Sequence, residues 1–252
     1  MATVKKTTKT TTKKTITKST KAKPVEVSLP ENPVVTTSGD RLCYVYVAVN
    51  LTRNTRLGEM ISLAMVDADG DTFYGEFNDF SVNKLSDIPK SSIVPTLLGK
   101  DNKYVNVSGT YDEVKVGVFN WLYNKFTNWN RTVQFVMDRV SWDWPIFKEM
   151  LAGPDTEEMP KWVSPVVIDI NTELGDNITI PKDKALSAAN GEGEYKNFIP
   201  SAIVNRDLKR VETARSLKTV PEEILDLPGI NALTVASSIR AIHQNMWGIT
   251  KN

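Results

Sequence analysis

Between residues 42 and 77 the chain alternates apolar runs with short polar breaks. Leu42–Leu51, LCYVYVAVNL, is apolar at nearly every position, the pattern of a strand buried on both faces. Met60–Val66 and Thr72–Phe77 predict two further strands, separated by Asp67-Ala-Asp-Gly-Asp71. Those alternating carboxylates suggest a calcium loop. An EF-hand would need Gly at its sixth position and Glu at its twelfth, where this chain has Thr72 and Asn78. A hairpin turn built on Asp69-Gly70 is the reading kept.

Further along, Val114, Val118, Trp121, Leu122 and Phe126 recur at helical spacing and predict an amphipathic helix over 111–127. A strand is predicted at Thr132–Val136, a short helix at Trp144–Leu151 ended by Gly153-Pro154, and another strand at 165–170, PVVIDI. Residues 171–228 read as a polar, poorly patterned insertion with a flexible point at Gly191-Glu-Gly193. Leu225–Trp247 closes the pattern. Its helix, ALTVASSIRAIHQNM, places Leu233, Ala236, Ile239 and Ile242 on one face. Three antiparallel strands followed by helix–strand–helix–strand and a final helix imply an α/β fold with a mixed sheet. Of the aromatic run Trp121, Tyr123, Phe126 and Trp129, helical spacing assigns Trp121 and Phe126 to the core. Trp129 stays open between packing and base stacking.

Composition adds an asymmetry that the pattern does not show. The chain has 252 residues, 40% of them hydrophobic, enough for one domain of about 200 residues plus appendages. Its formal net charge is only +1, yet residues 1–23 hold eight lysines (Lys5, Lys6, Lys9, Lys13, Lys14, Lys18, Lys21 and Lys23) and no acid. The remainder carries 23 basic against 30 acidic residues, a formal −7. This Lys/Thr arm has nothing apolar to fold around, so the expectation is that it is disordered alone or ordered by a partner. It reads either as a solubilising tail or as an arm docking on an acidic protein or on nucleic acid phosphate. Residues 24–40, with Pro24, Pro30 and Pro33, read as an extended linker, and the folded domain as 41–252.

A single cysteine, Cys43, excludes an intrachain disulfide framework and a thiolate zinc site, and reads as a small buried hydrophobe. No apolar run reaches the roughly 18 residues of a membrane span, so no membrane partner is expected. The lysine-rich start lacks a secretory h-region, which places the protein, as an expectation, in a cytosol.

Three blocks in this order carry a resemblance. The first is Tyr46-Val-Ala-Val-Asn50-Leu-Thr52 with the following hairpin ISLAMVDADGDTFYGEF. The second is Met137-Asp-Arg-Val-Ser-Trp-Asp143-Trp-Pro-Ile-Phe147, and the third is Ile230-Asn-Ala-Leu-Thr-Val235-Ala236. Spanning roughly residues 42–245, they resemble the bacterial and phage branch of the DEDD 3′–5′ exonucleases (the type with a histidine general base). The corresponding family blocks read roughly F-D-T-E-F-T-G, S-D-x-x-x-Y-D-W-x-x-F and H-N-A-L-x-D-A. The resemblance implies a ribonuclease H-like mixed sheet flanked by helices.

In that family four carboxylates hold two divalent metals and a histidine activates the attacking water. Carried over by position, the first two acids fall on Ala48 and Asn50, the third on Asp143, the histidine on Ile230 and the last acid on Val235. Only Asp143 is an acid. One carboxylate cannot hold a pair of hard dications, so the resemblance implies a site that has lost catalysis and needs no metal or other cofactor. The only histidine, His243, lies about two helical turns beyond Val235 and reads as a surface or packing residue. Asp138 reads as a strand-end cap, and Asp169 and Glu173 as solvated loop acids rather than a rebuilt metal site. No phosphate-cradling GxxxxGK[ST], no GxGxxG and no Ser/His/Asp or Cys/His set is present.

The expectation is therefore a catalytically inactive exonuclease-like protein reused as a structural or interaction component. By the texture of the resemblance it would be phage-encoded and virion-associated, with protein partners. A non-cleaving nucleic-acid-binding protein using residues 1–23 is the alternative. An active exonuclease and an inhibitor of an active relative are lesser ones.

Overall fold

The computed structural model describes residues 41–53, 57–126, 131–152, 158–174, 198–228 and 230–248, with side chains for all of these except 41 and 198–203. The basic arm, the linker, Trp129, Gly153-Pro154 and Gly191–Gly193 lie outside the described residues. The strands are β1 (Arg41–Leu51), β2 (Met60–Asp67), β3 (Thr72–Phe77), β4 (Val107–Gly109), β5 (Arg131–Met137) and β6 (Ile168–Asp169). The helices are α1 (Tyr111–Phe126), α2 (Val140–Ala152), α3 (Ile170–Leu174), α4 (Phe198–Leu217), α5 (Glu222–Leu225) and α6 (Ala232–Trp247).

The fold is α/β. One six-stranded mixed sheet has the order β4-β3-β2-β1-β5-β6. β1, β2 and β3 pair antiparallel, while β1, β5 and β6 run parallel. This arrangement is compatible with a ribonuclease H-like fold.

β1 sits at the centre, and its two-residue alternation divides the core. Val45, Val47, Val49 and Leu51 face α1 and α2, packing with Val118, Leu122, Phe135 and Phe147. Tyr46 and Ala48 face the opposite layer with Val136, Ala214, Leu233, Ala236 and Ile239. Each fully buried Val, Leu or Phe contributes about 1.5–3 kcal/mol, so this strand, apolar on both faces, belongs in the middle of the sheet. Gly117 lets α1 approach closely, since a Cβ there would lie 2.7 Å from a Val107 methyl.

The β2–β3 turn is the expected hairpin. Asp67 Oδ1 accepts from the backbone of Gly70 and Asp71 at 2.9 and 2.8 Å, and Gly70 takes φ +97°. Lys125 Nζ bridges Asp67 and Asp71 at 2.6 and 2.5 Å, filling with an ammonium the space the turn's acids enclose.

Four expectations are corrected. α2 begins at Val140, four residues before the predicted start, and contains Pro145. The strand expected over 165–170 is confined to Ile168–Asp169, because Asp169 Oδ1 accepts from the backbone N–H of Asn171 at 2.9 Å and caps the first turn of α3. The polar stretch 171–228 contains the twenty-residue α4, whose Val211 and Ala214 are buried while Asp207 and Arg210 are buried beside them. Its ionic docking face hid the apolar stripe. Trp121 and Phe126 both pack in the core as expected, Trp121 half-buried at its rim. Cys43, however, is only partly buried, because it lies near the start of β1.

Candidate functional site

The parallel strands β1, β5 and β6 end on the same side of the sheet, the side where open α/β sheets hold ligands. The sequence-predicted positions gather there in two groups. Ala48, Ile230 and Val235 join one apolar cluster beneath α6. Asn50, at the end of β1, donates through Nδ2 to Ser62 Oγ at 3.2 Å and to the carbonyl oxygen of Ile230 at 3.3 Å. Its amide thus ties β1 to β2 and to the entry of α6, where Asn231 caps the helix by accepting from Leu233 N–H at 2.9 Å. These contacts are packing and structural hydrogen bonding, with no ionisable group among them.

Asp143 stands in the other group. It lies in the first turns of α2 with 1% of its surface exposed, and Arg139 Nε donates to its Oδ2 at 2.9 Å. Nη2 of the same guanidinium donates to the carbonyl oxygen of Val49, between Ala48 and Asn50. A fixed cation therefore joins Asp143 to the β1 segment that holds Ala48 and Asn50. Asp143 Oδ1 is buried and has no partner among the described residues. Burial pushes the Asp143 carboxyl up to about 7, with Arg139 pulling it down and Asp138 adding to the rise.

Sequence reasoning missed the residues that build the rest of this group. Asp138, at the end of β5, is a buried ionic centre, which corrects its reading as a strand-end cap. Its Oδ2 accepts from Arg206 Nη2 at 2.7 Å and from Arg210 Nη1 at 3.4 Å. The same two arginines donate to Asn171 Oδ1 at 2.9 and 2.6 Å. Asn171 Nδ2 donates in turn to the Asp138 carbonyl oxygen and to Asp169 Oδ1. Burial drives Asp138 upward, but Arg139, Arg206 and Arg210 together overcome it and hold the carboxyl below its ordinary range. Asp207, 5% exposed, is pushed up to about 7 by burial and by Asp138. Asp169 is thus a partly buried helix cap, and Glu173 is exposed.

The available signal for this cluster was the i, i+4 spacing of Arg206 and Arg210, which puts both on one face of a helix. Their partner Asp138 is 68 residues away from Arg206, and no local pattern joins them. A cavity of about 180 Å³ opens beside the cluster, at the start of α2 and against α3 and α4.

His243 is far from these groups along α6. It is buried and accepts or donates through Nδ1 to the Tyr46 hydroxyl at 3.1 Å, with Tyr44 edge-on at 5.2 Å between centroids. Burial lowers its pKa. This is a packing histidine.

Among the described residues no three His, Cys, Asp or Glu side chains converge in a group that could hold a metal ion. No described helix is long and apolar enough to cross a membrane. Fold and site define an α/β protein with a mixed six-stranded sheet, and with a buried guanidinium–carboxylate cluster at the carboxyl ends of its parallel strands. No protein-family model matches the chain, and no curated protein sequence matches it.

Proposed function

We propose that this chain is a catalytically inactive, exonuclease-like protein of ribonuclease H-like fold, used as a structural or interaction component. We further propose that it is phage-encoded and virion-associated. The observation that carries the loss of catalysis is the position of Arg139, whose guanidinium lies between the Val49 carbonyl and Asp143. A metal pair at the position the resemblance implies would face this fixed positive charge instead of three further carboxylates. Like charges a few ångströms apart in a buried site repel by several kcal/mol. The apolar contacts of Ala48, Ile230 and Val235 support the same reading, since they leave no ligand on the other wall.

The deciding assay is degradation of single-stranded DNA by the purified full chain with Mg²⁺ or Mn²⁺. No cleavage above that of an Asp143→Ala control is expected. Metal-dependent cleavage abolished by Asp143→Ala would overturn the reading. The structural role is tested by fractionating the native source: co-sedimentation with particles supports it, and recovery only as free chain opposes it.

A second reading, nucleic-acid binding without cleavage, rests on the eight lysines of residues 1–23. It uses the arm for phosphate contacts and leaves the acidic body as carrier.

A further inference from the structure

The cavity at the start of α2 holds a combination of groups that the exonuclease resemblance does not use. Arg139 and Arg206 line it together with Ser141, Asn171, Asp138 and Asp169. The side chain of Arg206 is nine-tenths buried, and its Nε–H has no partner among the described residues. α2 runs for thirteen residues from Val140, so its first N–H groups and the positive end of its dipole point out of the helix here. Ser141 is exposed at the second position of that helix and adds a hydroxyl donor.

The two carboxylates in the lining are already engaged. Asp138 Oδ2 accepts from Arg206 and Arg210, and Asp169 Oδ1 accepts from the backbone and side-chain amides of Asn171. Asp207 Oδ1 also accepts from Arg206 Nη2 at 3.5 Å, but burial pushes its carboxyl up to about 7, so near neutral pH it only partly offsets the two α4 guanidiniums. The helix start, the Ser141 hydroxyl and the remaining Nε–H of Arg206 belong to residues of one lining, a donor set that suits an oxyanion.

We propose that this cavity is a phosphate-binding site, formed by Arg206, Arg139, Ser141 and the N-terminus of α2. The site takes one phosphate group, either free or at the end of a nucleic acid strand. It shares Arg139 with the inactive-exonuclease reading, but that reading is tested by cleavage and this site by phosphate binding, so either can fail without the other.

The experiment is calorimetric titration of the full chain with inorganic phosphate at constant ionic strength near neutral pH. Saturable one-to-one binding with Kd of about 1 mM or tighter is expected. Ser141→Asp places a carboxylate at the cavity while favouring the helix start, so its thermal midpoint should hold while phosphate binding weakens about tenfold or more. Arg206→Lys keeps a positive charge toward Asp138 but loses the planar fork, and should weaken binding similarly. The proposal falls if the native chain shows no saturable binding, or if folded Ser141→Asp binds phosphate as the native chain does. Titration with a 5′-phosphorylated oligonucleotide and its unphosphorylated twin separates the sources. Tighter binding of the phosphorylated strand than of inorganic phosphate, lost in Ser141→Asp, assigns the site to strand ends; equal affinity assigns it to free phosphate.

Discussion

Arg139 Nε donates to Asp143 Oδ2 at 2.9 Å, so this buried carboxyl is held by a cation from its own helix start. Both side chains are at least nine-tenths buried. Removing one partner of such a pair leaves an uncompensated buried charge, which is worse than replacing both. Arg139→Ala should therefore lower unfolding free energy by about 3–5 kcal/mol, read from urea denaturation. The double variant Arg139→Leu/Asp143→Leu should recover part of that loss, because the Val49 carbonyl and Asp138 still lack the guanidinium. A loss below about 1 kcal/mol in Arg139→Ala would contradict the role assigned to the pair.

Acidic residues usually make a protein more stable as pH rises; Asp138 follows that rule, whereas Asp143 and Asp207 should do the reverse. Asp143 and Asp207 are pushed up to about 7, above the unfolded value near 4, so the folded chain binds their protons more tightly. Their contribution is fully present below about pH 4 and is lost as pH rises toward 7, by at most about 1.4 kcal/mol per unit for each acid. Asp207→Asn should flatten that slope and raise the urea midpoint at pH 8 relative to the native chain. An unchanged pH profile would show that Asp207 is ionised throughout.

The opposite sign applies to His243. Burial lowers its pKa, so its contribution is present above the unfolded value near 6.5 and is lost as pH falls. Its imidazole should titrate below 6.5 by NMR. Tyr46→Phe, which removes the partner at 3.1 Å, should cost about 1 kcal/mol. A midpoint at or above 6.5 would contradict burial as the force acting on the ring.

An acid introduced at Ala48 should harm the fold. Ala48 is 3% exposed among Ile230, Val235 and Ala236, and Ala48→Asp would put a carboxylate into that apolar layer. A loss of about 3 kcal/mol or more is expected, unrelieved by Mg²⁺. Stabilisation of Ala48→Asp by millimolar Mg²⁺ would reveal a surviving metal site.

If residues 1–23 contact nucleic acid, binding should weaken steeply with salt and vanish when they are deleted. A mobility-shift series at two salt concentrations checks this. Binding that is insensitive to salt, or that survives the deletion, would remove the arm from the account.

Local chemistry made much of this fold legible. The two-faced apolar run of β1, the Asp-Gly hairpin and the helical spacing of Val114, Val118, Leu122 and Phe126 each report a neighbour that needs no distant partner. The same holds for Ala48, Ile230 and Val235, since no fold can turn those side chains into metal ligands. α4 was not legible, because half of its docking face is arginine and aspartate, which in sequence resemble a solvated surface. Only the tertiary structure decided that Asp138 would receive Arg206 and Arg210 from 68 and 72 residues away. It alone decided that Arg139 would reach back to Val49. Apolar periodicity fixes which face of an element is buried, whereas a buried charge is tolerable only beside its counter-charge, and that partner is chosen by the packing of the whole chain.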